Sequence, residues 1–487
     1  MNFRIIPAGV FALFLLATFC PAEDQVQQLQ LQLKQLQEEF EKTRLQQQRQ
    51  IEALTKKLDA LTNTGPVAAA APVVTDEQKK LEQELASASA PPSPAPQNAP
   101  AFAPAAAGAK AGSAYMNISF GTLVDAGWST ASDPSTQLQL GDHDPIKRGF
   151  SLRNAEISVD GAIDPYFKGF ANIVLKLDKN NGTDIELEES YLQSTALPAN
   201  LQLKAGQYFA SFGRQNPQHP HAWTFIDQPL ILSRAFGPDG LRGIGAQLSW
   251  LAPTPFYTEL FLSVLDGQGG TAFSFRNPGE PDAAGASRFA GRATLDRTLR
   301  GVQDLLFVPR LASSFELSDT QTLLAGVSAA FGPNETGPST RTEIFGVDFF
   351  WKWKPANAAQ GFPYVTWQTE ALYRRFEAAA DPLAPAPLPD EVLHDSGFYS
   401  QLVYGFVPRW NAGLRVDYAS GNHGAFDASD PFRGERYRVS PELTFLPSEF
   451  SKVRLQYNYD HGDQFGTAHS VWMRLEFGLG AHAAHKY

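Results

Sequence analysis

The chain has 487 residues, 43% of them hydrophobic, and a mean hydropathy of −0.25, so it has room for two or three soluble domains and its bulk hydropathy does not demand a membrane. A formal net charge of −11, a pI of about 5.4 and the lack of a basic stripe exclude nucleic acid as a partner. A transmembrane β-barrel stays open, because only alternate residues face lipid and the apolar signal is halved. The 35 Phe and 14 Tyr are what girdles at two membrane interfaces require.

At the N-terminus, Arg4 precedes an apolar run from Val10 to Phe19, then Cys20-Pro21-Ala22 and the charged Glu23-Asp24. A basic start, a short apolar core and small residues before a polar break predict a secretory signal peptide over 1–22, cleaved after Ala22. The run is too short to span a bilayer as a helix. Phe19 is bulky where lipidation of Cys20 would want a small residue, so the single cysteine leaves with the signal. Residues 24–62 contain no Gly or Pro, and Val26, Leu29, Leu33, Leu36 and Phe40 follow a 3-4-3-4 spacing that Ile51, Leu54, Leu58 and Leu61 resume after a stutter. This predicts an α-helical coiled coil over 23–62, roughly 60 Å long at 1.5 Å per residue. The Ala- and Pro-dominated stretch 63–114 cannot bury a core and reads as an extended linker.

From Tyr115 onward, short segments alternate with period two between Gly, Pro, Asn and Asp. In 343–353, Phe345, Val347, Phe349, Trp351 and Trp353 share one face and Asp348 and Lys352 the other; 452–460 and 471–479 alternate as cleanly. The spacing predicts strands at 115–128, 149–162, 166–178, 183–194, 201–212, 241–251, 255–266, 306–316, 320–331, 341–353, 363–377, 395–407, 409–419, 436–446, 450–460 and 469–479. That is an even sixteen, as single-chain bacterial barrels require. Connections after even-numbered strands are mostly tight, 354–362 excepted, and those after odd-numbered strands are often long: 129–148, 213–240, 267–305, 378–394 and 420–435. Loops sorted by parity fit a barrel with periplasmic and extracellular ends, whereas a sandwich has no reason to sort them. The prediction for 115–487 is an all-β, 16-stranded antiparallel transmembrane barrel, preceded by the coiled coil.

Three stretches carry a family resemblance. The segment Gly213-Arg214-Gln215-Asn216-Pro217-Gln218-His219-Pro220-His221 leads into Phe225-Ile226-Asp227-Gln228-Pro229-Leu230; Leu152-Arg153-Asn154-Ala155-Glu156-Ile157 is followed by Asp164-Pro165-Tyr166; and the chain closes Gly478 to Tyr487. Over 115–487 this resembles the phosphate-selective porins of the O and P type and their broad relatives with N-terminal coiled coils. The resemblance implies a homotrimeric 16-stranded channel in the bacterial outer membrane, with its third extracellular loop, here 213–240, folded inward to narrow the pore. The constriction residues would be Arg214, Asn216, His219, His221, Asp227 and Arg234.

Members that select phosphate carry lysines in that loop, since rings of cations hold a desolvated anion. Here the loop has no lysine, and Arg214, Asp227, Arg234 and Asp239 cancel. The barrel is acidic overall: ten basic and eleven acidic residues lie in 1–114, leaving 30 against 40 beyond it. On the polar faces of the late strands, Arg374, Arg415, Arg438, Arg454 and Arg474 alternate with Glu370, Asp417, Glu442 and Glu476. Such a mixed wall either sets up a field across the pore or merely pairs its charges. The expected solutes are small and hydrophilic, with weak selectivity; an anion or phosphate channel is a further alternative.

His219 and His221, and His482 and His485, have spacings that could share a transition metal, but further ligands are missing locally and no metal or other cofactor is expected. Glu186, Glu188 and Glu189 cluster without a partnered acid, no catalytic signature occurs, and an enzyme is not expected. The competing reading is a structural anchor: the coiled coil, reaching into the periplasm, would tie the membrane to a periplasmic partner.

Overall fold

The computed structural model describes residues 115–480, apart from Ile163, 282–286 and 427–432. The signal peptide, the coiled coil, the linker and the tail 481–487 with His482 and His485 lie outside the described residues.

Sixteen strands close into one antiparallel ring. They are β1 (Tyr115–Ser129), β2 (Gly149–Ala162), β3 (Phe167–Leu177), β4 (Thr183–Ser194), β5 (Leu201–Phe209), β6 (Arg242–Leu251), β7 (Tyr257–Leu265), β8 (Leu306–Ser318), β9 (Gln321–Pro333), β10 (Arg341–Trp353), β11 (Tyr364–Ala378), β12 (Glu391–Val407), β13 (Trp410–Gly421), β14 (Arg436–Ser448), β15 (Ser451–Gly462) and β16 (Gly466–Leu479). Each strand pairs with its neighbours in sequence, and β1 closes on β16 from Phe120↔Leu479 to Ser129↔Ser470. Among the described residues, closure leaves the ring without an edge strand.

The side-chain pattern explains why these segments are strands. On β10, Phe345 and Val347 are exposed while Gly346 between them and Ile344 and Asp348 on either side are buried; on β16, Val471, Met473, Leu475 and Phe477 are exposed and Trp472, Arg474 and Glu476 buried. The outward face is thus apolar and the inward face carries most of the charge, the reverse of a soluble barrel. A one-residue register slip would turn a whole strand's charges outward, so register is strongly specified.

Loops sort by parity as expected. The even-side turns include 319–320, 408–409 and 449–450, and the odd-side connections include 130–148, 210–241, 266–305, 379–390 and 422–435. Within them lie a one-turn helix, α1 (Pro134–Gln137), a second helix, α2 (Leu230–Phe236), and a small three-stranded sheet in 280–293. Three boundaries depart from the periodicity by three residues or more. β12 begins at Glu391, four residues before the predicted 395; β5 ends at Phe209, short of the predicted 212; and β16 begins at Gly466, ahead of the predicted 469. The second departure has a cause: residues 210–212 turn off the wall to start the inward segment.

An outward face in contact with hydrocarbon makes Val347→Arg costly, by about 2–4 kcal/mol if it lies near mid-bilayer. Denaturant titration of folding into lipid vesicles measures this; an unchanged midpoint would mean that the face meets water.

Candidate pore constriction

Residues 210–241 leave β5, run through the lumen and return to β6. Asn216 ties the two ends together: its Nδ2 donates to the carbonyls of Ala210 (2.9 Å) and Leu241 (3.0 Å), and its Oδ1 accepts from the Leu241 amide (2.7 Å). Between these ends the segment is anchored on three parts of the wall.

The first anchor is Glu370 on β11. Its Oε1 accepts from the amides of Arg214 (3.0 Å) and Gln215 (2.7 Å) and from the Tyr399 hydroxyl (2.7 Å). Gly213 stands at φ +61°, donates to Ser328 Oγ on β9, and has its α-carbon so close to the Glu370 carboxylate that a β-carbon would collide with it. Arg214 lies over the Phe350 ring at 3.8 Å and donates through Nε to Gln368.

The second anchor faces β2–β4. His219 sits between two carboxylates, Nδ1 to Glu188 and Nε2 to Glu189, both at 2.8 Å. His221 stacks on it, ring centroids 5.7 Å apart, and meets Glu156 at 3.0 Å. From the 130–148 loop, His143 reaches the other oxygen of Glu188 at 3.3 Å. Burial opposes charge on both His143 and His219. The Glu188 contact, with Asp142, outweighs it and lifts His143 to about 9; Glu188 and Glu189 raise His219 well above the ordinary imidazole value.

The third anchor is Asp227, 1% exposed. Its carboxylate accepts from Arg415 (2.6 Å, β13), Arg438 (2.8 Å, β14), Gln456 and Asn458 (both 2.7 Å, β15), and Arg415 also binds its carbonyl at 2.7 Å. Burial would raise its pKa, but the Arg415 and Arg438 charges pull it down to about 2. Asp417 pairs with Arg415 and accepts the Leu230 amide at the start of α2 (3.1 Å), where a carboxylate suits the helix dipole. All seven residues of α2 are buried, and its apolar side chains join Phe212, Ile344, Leu372, Tyr399 and Ala419 in one cluster. At its far end, Arg374 donates to the Arg234 carbonyl (2.9 Å) while pairing with Asp395, and Arg234 donates to the Gly434 carbonyl (2.9 Å).

The segment was expected to narrow the bore; it goes further and packs as a plug. Asn172, Tyr399 and Asp417, wall residues that the segment meets on different sides, are 0% exposed. The wall charges are largely paired: Arg438 with Asp460 (2.6 Å), Arg474 with Asp125 (2.6 Å), Lys452 with Glu476 (2.8 Å) and Arg310 with Asp348 (2.5 Å). Arg454 is held by the Trp223 carbonyl (2.9 Å) and Thr444, and Thr444 also donates to Glu442. The oxygens of Asp142, Glu186 and Asp239 converge within 4.8 Å, but Lys176 bonds both Asp142 and Glu186 and supplies the cation there.

Comparison with known proteins places this architecture. No family model matches the chain. An uncharacterized protein of Aquifex aeolicus is 31% identical over 361 residues, covering 70% of this chain and 71% of its own. The chain belongs to that protein's family. Solved structures similar to this family member include the outer membrane channel DcaP of Acinetobacter baumannii, at 11% identity and TM-score 0.49 over 76% of this chain and 98% of that one. An anion-selective porin from Comamonas acidovorans is similar at 6% identity and TM-score 0.45 over 75% of this chain and 100% of that one.

All fifteen residues singled out in the sequence of this family member lie on the plug or the inward wall. Gln456, Asn458, Asp125, Asp395 and Glu188–Glu189 went unassigned. Gln456 and Asn458 share the inward face of β15 with Arg454, so alternation alone could have found them. Their pairing with Asp227, some 230 residues away in sequence, leaves no local trace.

Removing the third anchor by Asp227→Ala should speed amide exchange over 223–236 by at least about tenfold and leave the strands protected, given the few kcal/mol such buried pairs carry. A carboxylate with a depressed pKa stabilises above its unfolded value, near 3.8, and loses that contribution as pH falls through about 2. Protection of 223–236 should therefore hold down to about pH 4 and weaken only below about pH 3. Loss of protection near neutral pH would contradict the assignment.

Proposed function

We propose that this chain is an outer-membrane channel of the porin type, passing small hydrophilic solutes or ions passively through gaps around a lumenal plug. The observation that carries this reading is the inside-out wall: a closed barrel with an apolar exterior and a charged, hydrogen-bonded interior is built for lipid outside and polar contents within. Paired charges of both signs on wall and plug support weak selectivity, since little uncompensated field remains to sort ions. Arg415, Arg438, Arg454 and Arg474, with Glu370, Asp417, Glu442 and Glu476, are in this reading wall positions that seat the plug and tune the residual path, with Arg374 fixing the end of α2. The homotrimer, and an N-terminal extension in the periplasm, follow from the family resemblance and belong to the same proposal.

Planar-bilayer recording tests it. The full-length mature protein should show small, nearly ohmic steps and a reversal potential close to zero in a salt gradient. The Ala210 amide and the Leu241 carbonyl are 2.9 Å apart, so a short Gly-Ser linker can replace 214–236. That variant should conduct several-fold more, in line with the lumen it frees. Silence from both proteins would overturn the channel reading, and a strong single-sign preference would overturn weak selectivity.

A further inference from the structure

The contact of the plug with β2–β4 is chemically unlike its other anchors. On β4, Glu188 and Glu189 are consecutive, yet both side chains are buried on the lumenal side. The register explains how: Asn172 pairs with Glu189 and Ile173 with Leu187, so Glu188 is the extra residue of a β-bulge. A bulge re-aims a side chain that the pleat would send outward. Here it brings a second carboxylate to the lumenal side, and His219 bridges the two. Glu156 on β2 adds a third carboxylate beside the His219–His221 stack.

The cations around this group are few. His143 contacts Glu188, with Asp142 next to it in the chain. Lys204 on β5 is buried over the Tyr191 and Tyr208 rings, at 4.6 and 5.2 Å. Arg242 on β6 donates to the Glu188 backbone carbonyl and gives its charge to Glu186; Lys452 on β15 donates to the His221 carbonyl and pairs with Glu476. The imidazoles therefore supply the positive charge in direct contact with Glu188 and Glu189, and neither carboxylate can stay buried and charged without it.

We propose, building on the channel reading above, that this imidazole–carboxylate cluster is a proton-operated latch: with His219 protonated it holds 216–223 on β2–β4, and loss of the proton releases that side of the plug and widens the passage. The other two anchors do not share this response. Asp227 is held by arginines, which stay charged at any ordinary pH, and Glu370 is a carboxylate accepting from amides and a hydroxyl, so it gains charge and does not lose its grip as pH rises. Release is therefore one-sided, with the plug still tethered at Asp227. The sign follows from the raised imidazoles: their stabilisation is complete below the free-imidazole value of about 6.5 and is lost as pH rises through the folded value, about 9 for His143.

Two readouts on the full-length mature protein test the latch. Bilayer conductance should stay flat through neutral pH and rise roughly two- to fivefold in the alkaline range. In Glu188→Gln/Glu189→Gln the His219 imidazole loses the two carboxylates that touch it, and the rise should move towards neutral pH. A spin label on Gln218→Cys should gain mobility over the same range. Conductance and label mobility that both ignore pH would overturn the latch while leaving the channel standing. A label that loosens on schedule in a protein that never conducts would support the latch and sink the channel reading instead. A double variant whose transition stays at the wild-type pH would also overturn it.

Discussion

Asp227 shows the constraint on which the rest of this structure depends: where the segment 210–241 covers the wall, a buried charge must find its partner in protein. Its carboxylate, 1% exposed, receives Arg415, Arg438, Gln456 and Asn458. Asp417 and Asp460 each neutralise one of these guanidiniums on the wall, and Asp227 is the third carboxylate that both share, joining the plug to β13 and β14. Burying such pairs gives little net stability over an apolar substitute, but breaking one is expensive. The plug thus gains one well-defined seat from residues that contribute little to the stability of the barrel.

The same logic divides the plug's chemistry. Where the wall is basic, over β13–β15, the plug presents a carboxylate; where it is acidic, over β2–β4, it presents His219 and His221. Where it must only be positioned, at β9 and β11, it presents backbone amides to Ser328 and Glu370. Between these points the apolar residues of α2 and Phe212 pack on Ile344, Leu372 and Ala419. Three polar anchors and an apolar contact shared with the wall thus hold the segment in place.

Much of this was legible in the sequence, and the limits have physical reasons. Strands of period two with tight turns on one side carry their own signature, so all sixteen were found near their observed positions, and so were the inward charges of β10, β15 and β16. Two features escaped. β5 ends early because Asn216 ties Ala210 to Leu241, a contact between residues that no periodicity links. The bulge at Glu188 breaks the alternation of β4, and that break was visible as two adjacent acids with no apolar residue between them. What no pattern could supply was which wall strand each plug residue would meet, because those partners are brought together only by closure of the ring.

Polymer exclusion measures most directly whether the plug sets the size of the passage. Conductance is recorded with graded poly(ethylene glycol) in the bath, for the full-length mature protein and for the variant lacking 214–236. A plug that fills the lumen predicts that even the smallest polymers fail to enter the native channel, and that the cut-off rises sharply once the segment is removed. An identical cut-off for the two proteins would contradict the account.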